Sequence, residues 1–163
     1  MARSAPFLVR QATLADAEGI LACLAEAFAP FREQYTPGAF ADTVLSEKML
    51  AGRFASMTIL VAEGTAGEFA GTVAASLGRD LEGHLRGMAV RAAWQGSGVA
   101  AELLADAESM LWTRGCRRIT LDTTAPLERA IAFYRRHGYA PTGRVQDFFG
   151  MPLYEYAKEM DGE

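Results

Sequence analysis

Val90-Arg91-Ala92-Ala93-Trp94-Gln95-Gly96-Ser97-Gly98-Val99-Ala100 leaves an apolar strand and enters an amphipathic helix. Its turn is built from small residues at Gly96, Ser97, Gly98 and Ala100. Small residues let backbone N–H groups approach a ligand closely, and a helix N-terminus offers unsatisfied donors and partial positive charge to a pyrophosphate. The same residues also make a tight connection that binds nothing, so the turn alone leaves both readings open. Two common phosphate loops are excluded. No Gly-Lys-Ser/Thr follows, as a Walker-type loop requires. The turn also comes late in the chain and reads Gln-Gly-Ser-Gly-Val-Ala, not the Gly-x-Gly-x-x-Gly of a dinucleotide-binding Rossmann unit.

Downstream of this turn, Gly98 to Arg114 is a helix with Val99, Leu103, Ala107, Met110 and Leu111 along one stripe. Glu102 and Asp106 lie early and Arg114 late, which suits the helix dipole, and Gly115 follows as a terminator. Arg117 to Asp122 alternates as a strand, Pro126 to His137 is a helix ended by Gly138, and Tyr139 to Arg144 and Leu153 to Lys158 are strands. Upstream, His84 to Arg91 is a strand whose Gly87 marks a bulge or a close backbone approach. Met57 to Ala62 and Phe69 to Leu77 form a hairpin across Glu63 to Glu68, and Phe7 to Arg10 is a short strand. Thr13 and Asp16 form a partial capping box for a helix carrying Leu14, Ala17, Ile20, Leu21, Leu24 and Phe28, closed by Pro30. A second helix is expected from Gly38 to Leu50, after Thr36-Pro37-Gly38. The order is β-α-α-β-β-β-α-β-α-β-β, a mixed α/β sheet in one domain covering residues 1–163.

Composition agrees with a single soluble-type domain. The 163 residues are 50% hydrophobic and 22% charged, enough for an ordinary core. No apolar run reaches the ~18 residues of a membrane span, and Met1 to Arg10 shows no secretory signal, so a cytoplasmic location is expected. Cys23 and Cys116 are then expected as reduced thiols. Neither cysteine has metal-ligand spacing and there are only two histidines, so no metal is expected. A net charge of −4 argues against a nucleic-acid partner. Of 16 basic residues only Lys48 and Lys158 are lysines, and Arg117, Arg118, Arg129, Arg135 and Arg136 cluster where an anionic ligand would use one or two.

Taken together, these segments resemble the GNAT family of N-acetyltransferases. Gln95-Gly96-Ser97-Gly98-Val99-Ala100 is similar to that family's acetyl-CoA signature, Gln/Arg-x-x-Gly-x-Gly/Ala. Met88-Ala89-Val90 is similar to the strand that hydrogen-bonds the pantetheine arm, and Arg129 to Tyr139 resembles the family's second block. The opening, Val9 to Thr13 followed by Asp16-Ala17, is similar as well, so the likeness runs along essentially the whole chain. Three positions depart from the pattern: Ala92 stands where proline is frequent, Leu127 where asparagine is frequent, and Arg86 where many members carry a glutamate. The resemblance implies a mostly antiparallel sheet flanked by helices. It also implies direct transfer of an acetyl group from acetyl-CoA to a primary amine in a ternary complex. The cofactor contacts it implies are Met88, Ala89, Val90, Gln95, Gly96, Ser97, Gly98, Val99, Ala100 and Phe133, with Tyr134 as the acid that protonates the leaving thiolate.

The chemistry also needs a base for the amine, and Glu82, His84, Asp122, Asp147 or a water chain are open candidates. Each has an ordinary reading too: His84 as a plain strand residue, and Asp122 as a cap for the turn at Thr123 and Thr124. Trp94 is expected to pack under the loop. Asp147 to Met151 is expected as an apolar loop, serving as packing, as a dimer contact or as a wall of the acceptor site. The first two helices, the Phe148 loop and a mobile lip from Phe31 to Phe40 are expected to form the acceptor pocket. A small-molecule or peptide amine is the expected partner, and a homodimer stays open. Two other functions stay open: a different nucleotide-binding enzyme, and an acyl-CoA-binding sensor without transferase activity.

Overall fold

Ile59-Leu60-Val61-Ala62 is apolar without interruption because its strand is covered on both faces. The structure, a computed structural model, describes residues 6–161; residues 1–5, part of the stretch read above for a leader, and residues 162–163 lie outside it. In chain order the elements are β1 (Phe7–Gln11), α1 (Ala17–Phe28), α2 (Pro37–Thr43), α3 (Glu47–Ser56), β2 (Thr58–Gly64), β3 (Phe69–Leu77), β4 (Glu82–Val90), α4 (Val99–Thr113), β5 (Arg118–Thr123), α5 (Glu128–Arg136), β6 (Ala140–Phe148) and β7 (Met151–Glu159). The strands form one seven-stranded sheet in the order β1-β2-β3-β4-β5-β7-β6. Among the described residues only β4 and β5 run parallel; every other neighbouring pair is antiparallel.

Two apolar layers enclose this sheet. Leu60, Val73 and Leu85 face Leu103, Leu104 and Leu111 of α4 and Tyr134 of α5. On the other side Ile59, Val61 and Ala74 meet Ile20 and Leu24 of α1 and Leu50 of α3. Gly71 brings α4 close to the sheet: a Cβ there would lie 2.9 Å from the Ala89 carbonyl and 2.9 Å from the Val99 side chain. The end of α4 is tied to the far strands through Glu108, which accepts from the Tyr139 hydroxyl at 2.8 Å and from Lys158 Nζ at 3.0 Å. At the start of the chain Asp16 accepts from the Thr13 N–H at 2.8 Å and takes both Nη atoms of Arg10, so the expected cap is present with an added ion pair.

Some expectations need correction. The single helix expected from Gly38 to Leu50 is two, α2 and α3, separated at Val44, which has extended backbone (φ −96°, ψ 93°). Thr36 caps α2 by accepting from the Ala39 N–H at 3.2 Å, and Ser46 caps α3 by accepting from the Met49 N–H at 3.3 Å. Pro126 precedes α5 rather than beginning it. The stretch from Phe31 to Phe40, expected as a mobile lip, is a 3₁₀ turn leading into α2, with Tyr35 buried and bonded to Thr124 at 2.6 Å. Asp147 to Met151 is not a free loop. Strands β6 and β7 are paired up to Phe148 and Met151 and joined by Phe149-Gly150, both at positive φ (50° and 91°), the geometry of a two-residue hairpin turn. Cys23 and Cys116 are free and buried.

Candidate active site

Strand β4 bends at Gly87. Arg86 pairs with Ala74 and Ala89 with Thr72, so Gly87 and Met88 oppose the one residue Val73, a bulge that Gly87 permits through its positive φ (66°). The parallel pairing with β5 stops just before this point, at Leu85 and Leu121. Beyond it, Gly87 to Val90 and Asp122 to Thr123 line an open cleft of about 730 Å³. Arg91 donates its N–H to Ala70 at 2.9 Å, so alternation turns the polar backbone groups of Val90 away from β3, towards this cleft.

The turn before α4 forms one rim. Gly96 and Gly98 have left-handed backbone (φ 77° and 92°), and a Cβ at either would meet nothing within 4 Å, so the space above them is free for a ligand. The first N–H groups of α4 have no acceptor within the helix. Gln95, Gly96, Gly98, Val99 and Ala100 line the cleft, as do Met88, Ala89 and Val90. Ser97 is not among the lining residues; its hydroxyl donates to the Trp94 carbonyl. Trp94 packs edge-on against Phe7, with centroids 6.2 Å apart, and also lines the cleft. Glu26 was not singled out by sequence, yet it holds the loop entry by accepting from the Ala92 N–H at 2.8 Å and from Arg91 Nη2 at 3.2 Å. Those bonds keep its carboxyl below the ordinary glutamate value.

Helix α5 supplies the facing wall with Phe133 and Tyr134. The Tyr134 ring lies between Phe133 and Tyr139, at 5.4 and 5.8 Å, and its hydroxyl makes no hydrogen bond with the described residues. Burial pushes this phenol above its ordinary value, so it stays protonated through neutral pH. Of the arginine cluster, Arg129 and Arg136 reach the cleft. Arg117 stacks on Trp112 at 3.8 Å, and Arg118 is held by Glu82 at 2.7 Å and Glu159 at 3.2 Å. Leu127 occupies the N-cap of α5 without a side-chain cap bond, the polar contact that this departure removes.

A smaller cavity of about 270 Å³ continues from the cleft, sharing Phe28, Arg86, Gly87, Asp122, Thr123 and Leu127 with it. It brings together α1, α2, α3 and Phe148 of β6, the elements expected around the acceptor. His84 lies on its floor. Its Nδ1 is 2.8 Å from Thr120 Oγ1, the residue paired with it across the parallel strands, and its Nε2 is 3.5 Å from Asp122 Oδ2. Asp122 therefore faces His84 rather than capping the turn after β5. Burial lowers His84 below its ordinary value and raises Asp122 above its own, each shift offset in part by the other's charge. Glu82 and Asp147 line neither cavity, and Glu82 is paired with Arg118 at 2.7 Å. Among the described residues no group of three or more His, Cys, Asp or Glu is placed to hold a metal ion.

The family model described as Acetyltransferase (GNAT) family matches residues 20–139. A curated relative, aminoglycoside N(6')-acetyltransferase type 1 of Stenotrophomonas maltophilia, is 35% identical over 163 residues, spanning 94% of this chain and 97% of its own length. Among solved structures, an acetyltransferase of the GNAT family from Staphylococcus aureus Mu50 superposes with a TM-score of 0.77 at 14% identity, over 95% of this chain and 99% of that one. A PaiA N-acetyltransferase from Thermoplasma acidophilum, solved in complex with coenzyme A, has a TM-score of 0.76 at 15% identity, over 94% and 98% of the two chains. These structural likenesses are of fold.

Proposed function

Because this chain belongs to the acetyltransferase (GNAT) family and is an N-acetyltransferase, we propose that it moves the acetyl group of acetyl-CoA to a primary amine of a small molecule by direct attack in a ternary complex. The observation that carries this reading is the unpaired gap between β4 and β5, rimmed by the left-handed glycine turn and walled by Tyr134. The relative named for aminoglycoside acetylation supports a small-molecule acceptor, and the coenzyme A complex of a structure with the same fold supports the donor.

In this reading the pyrophosphate takes the N–H groups at the start of α4, and Arg129 and Arg136, which line the same cleft, supply positive charge to the cofactor's phosphates. Ala100 gives a direct check. A glutamate there suits the positive end of the helix, so Ala100→Glu should keep or slightly raise folding stability. It should also lower CoA affinity by about tenfold or more through like-charge repulsion. Unchanged affinity by calorimetry would move the phosphates elsewhere.

The amine lies in the smaller cavity, beside His84. The acceptor ammonium first loses one proton to solvent; a C–N bond then forms as the thioester C–S bond breaks, the second amine proton passes to neutral His84, and the Tyr134 proton passes to the sulfur. The backbone of β4 beyond the bulge offers an N–H for the thioester oxygen. His84 then returns its proton to Tyr134 through solvent, which restores both groups. Release of free thiol from acetyl-CoA, measured with and without a panel of amines, tests the function. Amine-dependent release with N-acetyl product is expected, whereas binding of CoA without release under any amine would leave an acyl-CoA-binding sensor.

A further inference from the structure

Resting on the N-acetyltransferase reading, we propose that the acceptor is a zwitterion of amino-acid size, a primary amine bearing a carboxylate, and that Arg53 binds the carboxylate. Arg53 projects from α3 into the smaller cavity, and its Nη1 lies 2.7 Å from the point where a Cβ on Gly87 would stand. The missing side chain at the bulge is therefore what seats the guanidinium there. Among the described residues this guanidinium has neither a hydrogen-bond acceptor nor an ion-pair partner. Arg86 beside it takes Asp42 at 3.4 Å, whereas Arg53 is left without an anion of its own.

This is an unmet demand for negative charge. A half-buried cation without a counter-ion is costly, and a guanidinium presents donors in a fork that fits a carboxylate. Burial and the like charge of Arg86 push Arg53 down to about 10, with Asp42 offsetting only part, so it remains charged at neutral pH and lacks a partner. The same cavity is also lined by His84 and Asp122, the pair assigned to the amine. Thr123 adds a buried hydroxyl with no partner among the described residues, at the junction of the two cavities. The volume, about 270 Å³, leaves room for a small molecule. A polycation such as an aminoglycoside would instead bring ammonium groups against Arg53 and Arg86.

The test compares wild type with Arg53→Gln and Arg53→Lys on a panel of L-amino acids, each beside its carboxamide, together with an aminoglycoside and an aminophosphonate. The wild type should favour a carboxylate over its carboxamide by about 10–100-fold in kcat/KM, chiefly through KM, as a charge-assisted bond implies. In Arg53→Gln that ratio should collapse towards one while the KM for acetyl-CoA is unchanged, and Arg53→Lys should restore part of it. An aminophosphonate used as well as the carboxylate supports an anion site that is not shape-selective. Equal use of carboxylate and carboxamide, preference for the aminoglycoside, or a ratio unmoved in a folded Arg53→Gln protein would overturn the proposal. If no amine releases thiol, the transferase reading fails separately. Calorimetry of the same pairs on the CoA-bound protein then decides for Arg53, with loss of carboxylate binding in Arg53→Gln supporting the site and equal binding of the carboxamide overturning it.

Discussion

Tyr134→Phe is expected to lower turnover by about 10²–10⁴-fold while leaving fold and CoA affinity near wild type. The substitution removes one oxygen from a buried ring whose packing against Phe133 and Tyr139 is otherwise kept. That oxygen makes no hydrogen bond with the described residues, so no internal bond is broken. Burial holds the phenol above its ordinary value of ~10, whereas a thiol ionises near ~8.5. Full transfer to a free thiolate would therefore run uphill, and the phenol must help while the C–S bond is still breaking. The loss should shrink for a thioester with a more acidic leaving thiol, which needs less help. Wild-type turnover in Tyr134→Phe, with chemistry rate-limiting, would reassign the residue to packing.

His84→Gln is expected to cost about 10²-fold in kcat/KM for the amine and to remove the acid limb of its pH profile. Only neutral imidazole accepts a proton, so the rate falls as pH drops through the value His84 has in the protein. Burial places that value below the ordinary histidine value of 6.5, so this limb lies on the acid side of it, where it steepens the fall that protonation of the amine itself imposes through neutral pH. The charge of Asp122 is the main influence holding the value up, so Asp122→Asn should move the limb further towards acid. An acid limb that persists unchanged in His84→Gln would assign it to another group.

How far the sequence foretold this site depended on whether the signal was local. Gly87 was legible as an irregularity because glycine within an apolar strand has few other reasons to be there, and it proved to be the bulge that ends pairing with β5. Gly96 and Gly98 were legible for the same reason. The helix expected from Gly38 to Leu50 runs across the stop at Val44, although Ser46-Glu47 is a helix-start signal. Long-range pairings left no local mark. His84 and Asp122 are 38 positions apart in chain number and meet only because β4 and β5 run parallel in that register. Arg53 faces Gly87 from α3, beyond the Leu50 at which the expected helix ends. Tyr35 looked like part of a loose aromatic stretch, and only the fold shows that its hydroxyl reaches Thr124.

Direct transfer, with no acetyl-enzyme, is the centre of this account. Among the described residues neither cavity is lined by a cysteine or a serine, and Cys23 is buried with its thiol pushed up to about 12. The thiol-release assay, run as initial rates with acetyl-CoA and an accepted amine both varied, tests it most directly. Lines that intersect in the double-reciprocal plot, with no mass increase on protein incubated with acetyl-CoA alone, are the predicted result. Parallel lines together with an acetylated protein that passes its acetyl group to the amine would contradict it.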